Sequence, residues 1–198
     1  MKNFYEYKKS LFGICILACV LFMAGCGSTS ENQSANQRED TIFDNKAEVF
    51  IGTLKLYAAQ GNFDLSEPKI STADNKKYCT FNFGGSENNK VTLQLNDDDS
   101  IINEEVSVTD AKNYDAGKMA GMLLAGTLMT TGVEDADLQK FLATYQNIVE
   151  EAIRKQNNTT TPLIDQDIKI YNAIKKKDFR VNIKCDDKQA KYFVELAR

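Results

Sequence analysis

Few residues in this chain are equipped for chemistry. None of its 198 residues is histidine, which removes Ser-His-Asp and Cys-His nucleophilic pairs, imidazole metal ligands and histidine pH switching together. Tryptophan is absent as well, so stacking on sugars would fall to tyrosines. Asp97-Asp98-Asp99, with Asn96, Asn103, Glu104 and Glu105 beside it, offers enough oxygens to suggest calcium. Calcium takes about six to eight oxygens from several directions. The EF-hand spacing fails, because Ile101 stands where a third ligand belongs and no glycine follows it. A solvated hairpin turn accounts for the run. No metal and no cofactor are expected.

Two cysteines remain for a folded domain, Cys79 and Cys185. Both lie on the apolar phase of an expected strand. A bridge between them would close a loop of about a hundred residues and stabilise by up to about 4–5 kcal/mol in the chain-entropy picture. The alternative is two buried reduced thiols acting as small hydrophobes. Neither belongs to a Cys-x-x-Cys motif, so redox catalysis is not expected. Lys175-Lys176-Lys177 and Arg180 concentrate positive charge near the C-terminus. They suit contact with anionic headgroups or wall polymers, or the protection of strand edges.

The strongest motif lies at the N-terminus. Lys2, Lys8 and Lys9 precede an apolar run from Leu11 to Phe22. A basic start followed by a short apolar run is the pattern of an export signal. The run is shorter than the roughly 20 residues a bilayer span needs. It ends in Met23-Ala24-Gly25-Cys26, which resembles the lipobox of bacterial lipoproteins, although Met23 stands where Leu is more usual. That resemblance implies a diacylglyceryl group on the Cys26 thiol and cleavage after Gly25. Residues 1–25 then form a lipoprotein signal peptide, and 26–40 a polar tether with almost nothing to bury. A flexible linker of that length spans roughly 20 Å. The expected address is the extracytoplasmic face of a cell membrane. An outer membrane fits if the cell has two, since Gly27 rather than an acid follows the cysteine.

The precursor carries 24 basic and 28 acidic residues, of which residues 1–25 hold three and one. The remainder is left with 21 and 27, a net of −6. An acidic chain argues against nucleic acid, because phosphate binding needs clustered cations.

Residues 41–198 suit one α+β domain. Phe43, Ala47, Phe50, Ile51, Leu54, Tyr57 and Ala58 recur at helical spacing over 41–60, and Gly61 is placed for a left-handed cap. Short runs at 68–72, 77–83, 90–96 and 101–109 alternate apolar and polar residues, with turn-forming residues between them. Such alternation predicts an antiparallel meander with one buried face. Helices are expected over 110–130 and 135–156. In the first, Gly117, Gly121 and Ala125 recur every fourth residue, a spacing that admits a neighbouring helix. Strands close the chain at 167–174, 179–185 and 190–197. The order α-β4-α2-β3 predicts helices packed on one face of antiparallel sheet.

The functional expectation is a non-catalytic binding or interaction module displayed at the cell surface. Its partners would be membrane lipid, through acylated Cys26, and an envelope protein or polymer. The alternative is an envelope-acting hydrolase working through carboxylates alone, or an accessory subunit of one. That chemistry needs two carboxylates set across a cleft.

Overall fold

The computed structural model describes residues 41–109, 113–156, 164–186 and 188–197, all within one compact unit, Ala35–Arg198. Cys26 and the stretches expected to be signal peptide and tether, residues 1–40, lie outside them. Among the described residues no helix is long and apolar enough to cross a membrane.

The elements run α1 (Ala47–Gln60), β1 (Lys69–Ala73), β2 (Lys76–Phe83), β3 (Ser86–Leu95), β4 (Ile101–Val108), α2 (Tyr114–Thr130), α3 (Asp135–Gln156), β5 (Ile164–Asn172), β6 (Lys177–Cys185) and β7 (Ala190–Leu196). The seven strands make one antiparallel sheet in the order β1-β2-β3-β4-β7-β6-β5. Two meanders therefore meet at their last strands, with β4 against β7 in the middle and each first strand at an edge. The expected α+β order is the observed one.

Period-two alternation decides which side of the sheet is covered. Phe81 and Phe83 on β2, Val91 and Leu93 on β3, and Val106 and Val108 on β4 are buried. Phe179, Val181 and Ile183 on β6 and Tyr192 and Val194 on β7 continue the same surface. α2 packs on β4, α3 on β5, and α1 on α2, all on this face. Fully burying one such aliphatic or aromatic side chain contributes about 1.5–3 kcal/mol, so this face supplies most of the driving force.

Several boundaries differ from the sequence expectation for local reasons. α1 starts at Ala47, six residues late, because Ile42 and Phe43 pair instead with the start of β4. The Ile42 amide donates to Ile101 O at 2.8 Å, and the Ile101 amide to Phe43 O at 3.0 Å. Gly61 is not the left-handed residue; its φ is −78°, and Asn62 takes φ 60°. Glycine is needed at 61 for space, since a Cβ there would lie 2.6 Å from the Phe63 ring and 2.7 Å from Met122. β3 begins at Ser86 because Gly84 and Gly85, with φ 63° and 66°, close the β2–β3 hairpin in two residues. Paired positive φ values give the turn whose twist matches a hairpin.

The small-residue helix works only partly as its spacing suggests. Gly121 does admit α3, because a Cβ there would stand 2.8 Å from the Tyr145 ring. Gly117 faces open space, although its carbonyl accepts the Tyr145 hydroxyl at 3.0 Å. The second close approach is at Gly126, which lies against Tyr57 of α1.

Candidate functional site: the open face of the sheet

The face turned away from the helices is polar, and the pairing register sorts it into rows. One row crosses Ser71, Tyr78, Gln94 and Asn103. The next crosses Lys69, Thr80, Thr92, Glu105, Phe193, Asn182 and Asp167. A third runs through Asn82, Lys90, Ser107, Lys191, Lys184 and Asp165. Hydroxyls, amides and charges thus stand side by side on a rigid support, with Tyr78 and Phe193 as its half-buried aromatic members. Cross-strand neighbours of this kind sit about 4.5–5.5 Å apart, close enough to act on one ligand.

The two ends of this face differ in how their polar groups are used. On β5–β7, Asn182 donates to Asp165 and Asp167, each at 2.9 Å. Arg180 pairs with Glu195 and reaches Asp167, and Lys184 reaches Asp165 at 3.4 Å. Those contacts hold the Asp165 carboxyl below its ordinary range, with the Asn182 hydrogen bond the largest cause. On β1–β4 the groups are mostly uncharged, and the Asn103 amide donates to Gln94 at 3.0 Å. Glu105 is held by Lys191 at 3.3 Å.

The basic cluster named from sequence does not form one patch. Lys175 Nζ is drawn inward to Asp44 and Thr41, leaving its side chain 12% exposed. It acts as a buckle between the β5–β6 turn and the segment before α1. Asn172 reinforces that joint by donating to Thr131 O at 2.9 Å, and its own oxygen accepts the Lys175 amide at 2.8 Å. Arg180 belongs to the ion-paired end of the open face. Lys176 sits at the tip with φ 53°, and Lys177 opens β6 on the helix side.

Cys79 and Cys185 are both free and buried. They lie on β2 and β6, with β3, β4 and β7 between them. Four strand spacings come to roughly 19 Å, whereas a disulfide needs Cα atoms within about 7 Å. Of the two sequence readings the fold matches the buried thiols. Burial raises both thiol pKa values, with Asp99 adding to the rise at Cys79 and Asp186 at Cys185. Asp97–Ser100 form the β3–β4 turn, where Asp98 Oδ1 accepts from the Ser100 amide at 3.1 Å and its hydroxyl at 2.6 Å.

Sequence reasoning passed over one residue with unusual chemistry. Glu104 was counted only among the acids near the Asp run, yet it is fully buried on the covered side of β4, paired with Leu93 and Val194. Burial pushes its carboxyl up to about 8, while Thr127 of α2 pulls the other way by less. Thr127 stands close enough to favour the charged form, yet among the described residues neither Glu104 oxygen nor the Thr127 hydroxyl has a partner in full hydrogen-bond geometry. The clue was available: alternation counted back from Val108 and Val106 puts residue 104 on the apolar phase. A carboxyl sealed beneath the helices meets no substrate, so its perturbed acidity does not supply the hydrolase alternative with an acid.

Comparison with known proteins finds no matching family model, no similar curated protein and no similar solved structure.

Proposed function

We propose that this chain is a membrane-anchored extracytoplasmic lipoprotein and acts as a non-catalytic binding module, with the open face of its sheet as the binding surface. The observation that carries the reading is the division of one sheet between its two sides. The helices are all spent on the covered face, while the other presents ordered polar rows across the width of the sheet. Strands that pair on both sides hold such rows in place, so a ligand meets side chains that lose little freedom on binding. The lipobox-like Met23-Ala24-Gly25-Cys26 supplies the anchor, and a polar tether supplies reach. Acyl chains hold a protein at a bilayer, while the domain stays in water to meet an envelope protein or polymer.

Crosslinked capture of the native lipoprotein from its own membranes tests both parts. Cys26→Ala should release the chain from the membrane fraction. Thr92→Glu, which places a bulkier anion in the middle of the open face, should abolish capture of the partner. Lys55→Ala, on an exposed part of α1, should leave capture intact. Capture unchanged by Thr92→Glu would remove the open face from the function.

A further inference from the structure

We infer that the β1–β4 half of the open face binds an anionic, polyhydroxylated polymer of the phosphodiester-linked polyol class, laid along the strands. This deepens the binding-module reading and rests on it. In a chain whose formal charge is −4, that half of the face is locally positive. Lys69, Lys76 and Lys90 lie on it, all exposed, and none has an ion-pair partner among the described residues. Its acid, Glu105, is already matched by Lys191. The β5–β7 half offers no such surplus, because Asp165, Asp167, Asp178 and Glu195 stand on it against Lys169, Arg180 and Lys184, while Lys191 is given to Glu105.

The arrangement favours an extended ligand. Lys76 pairs with Ala73, Lys69 with Thr80, and Lys90 with Asn82. The cations therefore advance along the strands, first by four residues and then by two, or roughly 13 Å and 7 Å at strand rise. Tyr78, Thr80, Asn82, Thr92 and Gln94 fill the intervals with hydroxyls and amides, the partners that a polyol's hydroxyls require. All three free cations are lysines, point charges suited to the single negative charge of a diester phosphate. A carboxylate polymer would be better met by the fork of arginine, and Arg180 is engaged elsewhere. The exposed acids Asp74 and Asp97 stand at the turns near Lys76, so the ligand enters from the Lys90 end.

The test uses the lipidated full chain in neutral detergent, titrated with a synthetic glycerol-phosphate oligomer and followed by calorimetry. Parallel titrations use an uncharged glucan oligomer of equal length and mixed micelles containing phosphatidylglycerol. The charged oligomer should bind, should weaken as salt is raised, and should lose about twentyfold in affinity in the Lys69→Ala/Lys90→Ala double variant. Lys140→Ala, on the exposed side of α3, should leave binding unchanged. Equal binding of the uncharged glucan, binding indifferent to salt, or preference for the lipid micelles would overturn the proposal. If the oligomer fails but Thr92→Glu still abolishes native capture, the ligand class is wrong and the binding module survives. If native capture also survives Thr92→Glu, the open-face reading itself falls.

Discussion

The two faces of this sheet are made by the same strands, yet they answer to opposite demands. On the covered side every second residue is chosen for shape and for the absence of charge. On the open side the intervening residues are chosen for what they can offer to water or to a ligand. Glu104 is the place where the two rules collide, since it has the chemistry of the open face and the position of the covered one. The comparison teaches that the covered face sets stability, and that the open face is free to carry function.

If that division is right, the largest effect should come from the covered side. Phe81→Ala removes a ring that is 2% exposed and should cost about 3–5 kcal/mol, read as a lowered midpoint in urea unfolding. A loss under about 1 kcal/mol would mean the face is loosely packed. Glu104 sharpens the point with an opposite sign. The folded state keeps a proton up to about pH 8, whereas the unfolded chain gives it up near the ordinary carboxylate value. Stability therefore falls as pH rises between about 4.5 and 8, by up to about 1.4 kcal/mol per unit, and levels off above. Glu104→Gln should abolish this slope and raise stability at pH 8 by about 2–3 kcal/mol, part of the gain being offset by the amide's own unmet hydrogen bonds. A slope that persists in the variant would assign the titration to another group.

Smaller effects test the packing of α2. Gly121→Ala drives a methyl into the Tyr145 ring and should cost about 1–3 kcal/mol. Gly117→Ala, facing open space, should instead stabilise by about 0.5–1 kcal/mol through helix propensity. Thermal melts of the two variants moving in the same direction would contradict the placement of α3. The smallest effect belongs to the open face: Asn103→Ala should change stability by less than about 0.5 kcal/mol, while the same variant is assayed for partner capture. A large destabilisation there would make the polar rows structural and break the comparison.

Much of this was readable from the chain before its fold was known. Every element and its order follow from periodicity, because Phe81 and Phe83 or Val91 and Leu93 repeat at two, and Phe50, Leu54 and Tyr57 at three to four. What periodicity misses is pairing at a distance. Nothing local says that Phe43 will bond to Ile101, that Lys175 will reach back to Asp44, or that β2 and β6 will stand too far apart to join their cysteines. Those facts depend on which strands become neighbours, a matter of the whole chain. The open face was legible as a set of polar residues, but its rows, and the contrast between its paired and unpaired ends, appear only once the register is fixed.

The meeting of β4 with β7 has a consequence for how the molecule is made. The strand that joins the two meanders follows the other six along the chain. Until residues 190–196 arrive, β4 shows a bare edge and α2 has only half a surface to rest on. A chain that folds as it emerges therefore waits, unfinished and prone to misassembly, for its seventh strand. Folding is timed by residues 190–196, so removal of β7 should leave two unjoined pieces of sheet rather than a slightly trimmed one.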